Sequence, residues 1–339
     1  MNRFAFLSQT ADRARIPVVL LSGFLGSGKT TLINALLKDP RMAGTAVAVN
    51  EFGDVPLDRD LIDHGDDKTV VMANGCLCCN LAGDMEDAVM RLFSRREGGQ
   101  VPRFERLIIE PSGLSDPAPI AQAILRNPVM SGVFRLEAIV TTVDALFGTS
   151  QLARHPETRK QVALADRLVL TKADLASTDA LGLELRDHNP AAPILEARHG
   201  SVDAATLFPP SFFDPDAPAT PRSVFFADSV DPDHTSRFAS VSLIAEAKLL
   251  WRPFEAWLRR IRVAHAEQLL RVKGMLDIEG SAGPVVVQGV HHVLNAPVEL
   301  DTWPVGQRKS RLVLIADRAT IDDARQSWIE ALPGMTAPK

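Results

Sequence analysis

The stretch Gly23-Phe24-Leu25-Gly26-Ser27-Gly28-Lys29-Thr30 decides the fold. Its spacing is Gly-x-x-x-x-Gly-Lys-Ser/Thr, in which glycines let the backbone curl until its N–H groups point at phosphate oxygens. An apolar run over residues 16–21 stands directly before it, and helix formers mixed with apolar residues over 31–37 follow. Buried strand, glycine-rich turn and helix, in that order, are the context this spacing needs. A helix opening near Lys29 brings the positive end of its dipole to the same point. Lys29 is then expected to reach the β- and γ-phosphates, and the Thr30 hydroxyl to ligate Mg²⁺. Gly23, Gly26, Ser27, Gly28 and Thr31 complete the expected nucleotide-binding set here. The stretch predicts that the chain binds a nucleoside triphosphate.

Outward from the loop, β-branched runs alternate with helical patterns as far as residue 196. Strands are expected over 16–21, 45–49, 69–72, 107–110, 138–143, 167–171 and 193–196, with helices over 84–95, 119–125, 158–165 and 178–188. Such alternation predicts an α/β domain of the P-loop NTPase type, a mostly parallel sheet flanked by helices. Ligands bind such sheets at the carboxyl ends of the strands, where every motif below falls. Residues 208–221 are rich in proline and read as a linker. Beyond it, strands over 238–245, 271–278, 284–294 and 311–315 and helices over 253–270 and 320–331 predict a smaller α+β module with an antiparallel sheet. The expected organisation is a nucleotide-binding domain over 1–207, the linker, and a second domain over 222–339. A length of 339 residues accords with two domains.

Three further segments belong to the nucleotide site. Thr171-Lys172-Ala173-Asp174 follows an apolar strand. The Asp174 carboxylate there can accept from both the N1–H and the 2-amino group of guanine, a donor pair that adenine lacks, while the Lys172 stem packs over the base. The nucleotide is therefore expected to be GTP, with GDP as product. Glu110-Pro111-Ser112-Gly113 ends a strand, so Glu110 can hold Mg²⁺ through water and the Gly113 N–H can sense the γ-phosphate. Asn50-Glu51-Phe52-Gly53-Asp54 stands where a switch segment belongs; Glu51 or Asp54 is a candidate to orient the attacking water, touch Mg²⁺ or ligate a second metal. His199-Gly200, after the last strand, is either a set of backbone contacts to the base or a plain turn. The pair His291-His292 reads as structural, on a strand.

All three cysteines of the chain, Cys76, Cys78 and Cys79, fall within Asn74-Gly75-Cys76-Leu77-Cys78-Cys79. A tight turn can aim at least two of these thiols at one point, and thiolates suit Zn²⁺, Co²⁺ or Cu⁺. Buried apolar cysteines and a redox pair are the competing readings. Three thiolates leave tetrahedral zinc one ligand short, a place for water, Glu51, Asp54 or a client protein. Three clustered cysteines make no disulfide framework, and a reducing cytoplasm is the expected home.

The bulk composition excludes other classes. Hydrophobic residues make up 46% and charged residues 23%, with a net charge of −5. No general attraction to nucleic acid or to an anionic membrane is expected. Basic clusters at Arg259, Arg260 and Arg262, and at Arg308, Lys309 and Arg311, read as solvated faces. No run reaches the roughly 18 uninterrupted apolar residues of a membrane span. Arg13 and Arg15 interrupt the apolar N-terminus, so no signal peptide is expected.

Taken together, these motifs resemble the CobW-like P-loop GTPases, which act as metal chaperones or metal-insertion factors. The resemblance runs nearly end to end. It takes in the phosphate loop, Asn50-Glu51-Phe52-Gly53, the Gly-Cys-x-Cys-Cys element and Glu110-Pro111-Ser112-Gly113-Leu114-Ser115-Asp116-Pro117. It continues through Ala165-Asp166 to Thr171-Lys172-Ala173-Asp174. In the second domain it includes Arg271-Val272-Lys273-Gly274, Gln288-Gly289-Val290 and Trp303-Pro304 through Arg311-Leu312-Val313. It implies slow GTP hydrolysis coupled to binding and release of a transition metal, most often zinc, with cobalt or nickel in related members. Cys76, Cys78 and Cys79 would be the metal thiolates and a client metalloprotein the recipient, and a homodimer is compatible with the reading. Some members carry a histidine-rich storage loop; this chain does not, which favours handing over a single metal. The alternatives are a cobalt- or nickel-specific activator, a small-molecule phosphotransferase with structural cysteines, and a non-catalytic nucleotide-binding scaffold.

Overall fold

The computed structural model describes residues 6–8, 11–12, 14–50, 70–74, 81–208, 238–303 and 308–331. They fall into two compact units, one around the phosphate loop and one around the C-terminal third. In chain order the first elements are β1 (Leu7–Ser8), β2 (Ile16–Gly23), α1 (Lys29–Leu37), β3 (Thr45–Asn50), β4 (Val70–Asn74) and α2 (Leu81–Glu97). There follow β5 (Arg106–Glu110), α3 (Ala118–Arg126), α4 (Pro128–Val133), β6 (Phe134–Asp144), α5 (Gly148–Arg154) and α6 (Pro156–Leu164). Next come β7 (Arg167–Thr171), α7 (Asp179–His188), β8 (Ile194–Glu196) and α8 (Ala204–Leu207).

From β2 to β8 these strands build one parallel sheet in the order β4-β3-β5-β2-β6-β7-β8. Successive side chains of β2 enter opposite layers, the strand period being two. Val19 and Leu21 pack with Leu32, Ile33 and Leu36 of α1 and with Val140 and Val169. Val18 and Leu20, equally buried, face the layer that contains α6. Burial on both faces is why β2, β5 and β7 read as continuous apolar runs. Since all seven strands run the same way, their carboxyl ends share one edge, and the loops that leave that edge carry the site.

The observed strands extend or trim the expected ones by a residue or two, with one larger difference. β6 starts at Phe134 instead of residue 138. Its first residues include Arg135 and Glu137, charges that interrupt the apolar run; the structure pairs the two with each other. The short elements β1, α4, α5 and α8 were not expected, being too brief to show a period.

The second unit contains β9 (Phe238–Ala245), α9 (Trp251–Ala264), β10 (Arg271–Leu276), β11 (Val285–Val290), β12 (Val293–Leu294), β13 (Val298–Glu299), β14 (Ser310–Asp317) and α10 (Arg318–Ala331). Its sheet runs β1-β13-β11-β10-β14-β9, with β12 beside β11. It is antiparallel except at β1, which pairs in parallel with β13. Val241, Leu243, Val272, Leu312 and Leu314 on one face pack with Phe254, Trp257 and Ile261 of α9 and with Ile321 and Trp328 of α10. Trp257 and Trp328 meet edge to face, centroids 4.8 Å apart.

Two expectations are corrected in this unit. The helix expected over 253–270 ends at Ala264; Leu269 and Leu270 prolonged the apolar period but belong to the approach to β10, where the Leu270 N–H donates to Ile315 O. The single strand expected over 284–294 is a hairpin, with His291-His292 in its turn and His291 at φ 52°. The β-branched run on both sides hid that turn. The basic clusters are largely paired: Arg260 with Asp323, Arg308 with Asp277, Lys309 with Glu246, and Arg262 with the His292 carbonyl.

Candidate functional site

The loop from β2 to α1 takes the shape its glycines permit. Gly26 and Gly28 have φ of 69° and 86°, a region L side chains avoid. Gly28 is also the N-cap of α1, so the helix begins at Lys29 with its first N–H groups turned into the loop. Lys29 is buried, and its Nζ donates to the carbonyls of Gly23 (3.0 Å) and Phe24 (3.3 Å), curled back along the loop. Gly23 has φ 140°, and a Cβ there would lie 2.2 Å from Thr142 Oγ1 and 2.6 Å from Thr142 O. Gly23→Ala is therefore expected to destabilise this unit by about 2–3 kcal/mol and lower its melting transition by roughly 5–10 °C, read by calorimetry.

The loop is held from β6 and β7. Ser27 Oγ and Thr142 Oγ1 lie 2.7 Å apart, and Thr171 Oγ1 donates to Ser27 O at 2.7 Å. Lys172, at φ 57°, donates from Nζ to Gly26 O at 3.1 Å and pairs with the buried Asp144 at the end of β6. The expected base-reading segment is thus tied to the phosphate loop by two side chains. Asp174 belongs to the same turn, and its Oδ1 accepts from the His199 N–H at 2.8 Å. That bond holds its carboxyl below the usual carboxylate range. His199 and Gly200 have φ of 52° and 76° between Arg198 and Ser201, which exchange both backbone hydrogen bonds. This is a tight turn of the I′ kind, so the plain-turn reading is right about its form. It also buttresses Asp174, and a Cβ on Gly200 would come 2.7 Å from Thr31 Cγ2.

On the other side of β2, the buried Glu110 at the end of β5 accepts from the Thr30 hydroxyl at 3.2 Å. Two hard oxygen donors side by side next to a lysine fit Mg²⁺, which prefers oxygen ligands and keeps several waters. Gly113 packs against the phosphate loop so tightly that a Cβ there would lie 2.6 Å from Leu25 N. Its carbonyl and that of Ser115 accept from Gln161 Nε2, at 3.1 and 3.0 Å. The structure therefore gathers Gly23, Gly26, Ser27, Gly28, Lys29, Thr30, Thr31, Glu110, Gly113, Lys172 and Asp174 at one edge of one sheet.

Glu51 and Asp54 lie outside the described residues, as do Cys76, Cys78 and Cys79. Asn50 and Asn74, the last residues of β3 and β4, are paired neighbours in the sheet. Among the described residues no group of three or more His, Cys, Asp or Glu is placed to hold a metal. Residues missed by sequence reasoning are Asp144, Thr142, Gln161 and His155. Asp144 has a readable signal, an acid ending an apolar strand; the others have none, since their contacts depend on which strand neighbours β2 and which helix lies over which loop.

Comparison with known proteins follows the same outline. Residues 17–196 match the CobW/HypB/UreG nucleotide-binding domain, and residues 238–332 the cobalamin synthesis protein cobW C-terminal domain. The chain is 34% identical over 325 residues to the zinc chaperone YjiA of Escherichia coli, covering 92% of this chain and 98% of that protein. It is 27% identical over 358 residues to the zinc chaperone CobW of a Sinorhizobium species, covering 95% and 98%. A crystal structure of the Zn(II)-bound YjiA GTPase from E. coli superposes with a TM-score of 0.70 at 26% identity, covering 94% of this chain and 99% of that one.

Proposed function

Because the chain belongs to the CobW/HypB/UreG family and carries that family's CobW C-terminal domain, we propose that it is a GTP-hydrolysing zinc chaperone that hands one metal ion to a client metalloprotein. The observation that carries the GTP half is the tie between base reader and phosphate loop, Lys172 to Gly26 and Thr171 to Ser27. It sets the base-reading carboxylate in one frame with the phosphate-binding amides. Lys29 holds the β- and γ-phosphates. Thr30, with Glu110 behind it, holds Mg²⁺, which when bound neutralises charge on the phosphate oxygens. Gly113 presents its N–H to the γ-phosphate, and Glu51 is the candidate to order the attacking water.

The metal half rests on the Cys-x-Cys-Cys segment and on relatives named as zinc chaperones. Zinc is here the cargo, held by Cys76, Cys78 and Cys79 with an open fourth position suited to transfer. A protein that works through free thiols belongs in the reducing cytoplasm. Since β3 and β4 end as paired neighbours, the chain leaves the sheet toward Glu51 and toward Cys76 from adjacent points. Nucleotide state and metal affinity are therefore coupled, and the coupling is reciprocal.

Metal analysis tests this directly. Protein purified with Mg²⁺ and a non-hydrolysable GTP analogue should hold about one Zn²⁺ per chain, and Cys78→Ser should lower zinc affinity at least tenfold. Equal zinc affinity with GDP and with the analogue would remove the coupling. Cobalt or nickel held in preference to zinc would replace the cargo and leave the GTPase in place.

A further inference from the structure

Helix α6 touches both phosphate-facing loops. At its N-cap, His155 stacks on Phe24 of the phosphate loop, centroids 4.5 Å apart. One turn on, Lys160 pairs with Asp116 at 2.6 Å. Beside it Gln161, 1% exposed, spends both N–H groups of its amide on the carbonyls of Gly113 and Ser115. The helix is fixed beneath them, since Thr141 Oγ1 of β6 donates to Gln161 O at 3.0 Å. Gly113 is thus gripped from two sides, by Leu25 of the phosphate loop and by Gln161 of α6.

We propose that Gln161 is the positioning residue for nucleotide-state sensing: it holds the turn from Ser112 to Ser115 so that the Gly113 N–H meets a γ-phosphate, with α6 as the strut joining that loop to the phosphate loop. The proposal rests on the GTP reading above. The Gly113 N–H belongs to the peptide that carries the Ser112 carbonyl, and that carbonyl accepts from the Ser115 N–H at 2.9 Å. By holding the carbonyls of Gly113 and Ser115, Gln161 fixes the turn that orients this peptide around a glycine with much freedom to lose. The restriction favours one presentation of the N–H, which matters only to a nucleotide with a third phosphate. GDP makes no demand on this loop, so Gln161 separates the two nucleotides without touching either.

The test compares binding of GDP and of a non-hydrolysable GTP analogue to full-length Gln161→Met, which keeps the length of the side chain and removes both donors. The analogue should bind about tenfold more weakly and kcat should fall by about the same factor, with GDP affinity held within twofold. Lys160→Ala, on the exposed side of the same helix, should shift the analogue about threefold in the same direction. A purely structural glutamine would weaken both nucleotides equally or leave both unchanged, and either result in Gln161→Met overturns the proposal. If Gln161→Met fails to fold, Lys160→Ala decides: a shift confined to the analogue supports the strut, and any other result rejects it. A wild-type protein that binds neither guanine nucleotide would instead sink the GTP reading.

Discussion

Lys29→Ala should lower GTP hydrolysis by about 10²–10³-fold, since it removes a preorganised cation from the place where charge develops on the transferring phosphoryl group. Among the described residues no other lysine near the loop can stand in. Lys29 is buried at the first position of α1, and the carbonyls of Gly23 and Phe24 hold its ammonium over the loop. Lys172, also near the loop, is engaged with Gly26 O and Asp144. Phosphate-release kinetics with excess GTP check the prediction, and circular dichroism of the variant checks that the fold survives. Hydrolysis within threefold of wild type would mean that the phosphate loop binds nucleotide without promoting its chemistry, as the scaffold alternative requires.

The placing of the phosphate loop, β7 and the turn of Thr171 to Asp174 was legible because local chemistry marks each: glycines where φ must be positive, a lysine at a helix start, a carboxylate at a strand end. The place of Glu110 at the end of β5 was legible for the same reason. Gln161 and His155 were not. A glutamine on the apolar side of a helix over 158–165 carries no mark of the loop beneath it until the sheet order sets α6 against β2 and β6. The misread hairpin at His291 and the overlong helix before β10 share another cause. In each, apolar residues resume within a few positions of the element's end, and no glycine or proline occupies the turn itself to interrupt the period.

Asp174→Asn should abolish most of the preference for GTP over ATP. The carboxylate offers acceptors to both donors on the guanine edge; an amide offers one acceptor and turns an N–H against the other donor. A site built to pair a substrate N–H discriminates by several orders of magnitude, so losing one acceptor should weaken GTP binding by about 10²–10³-fold and leave ATP binding near its starting value. The side-chain oxygen of asparagine can still accept from His199 N–H, the bond that ties Asp174 to its turn at 2.8 Å. The turn and the stability of the unit should therefore persist, which separates base reading from structural damage. Xanthosine triphosphate sharpens the test: it carries an oxygen in place of the 2-amino group, so the amide N–H of the variant gains a partner and its affinity should rise where that of GTP falls. The wild-type carboxyl titrates below the usual carboxylate range because the His199 N–H favours its charged form. The ionised reader thus persists as pH falls, and the GTP preference should stay flat from pH 8 to about pH 5. Equal affinities of wild type and variant for GTP, measured by calorimetric titration, would move guanine recognition away from Asp174.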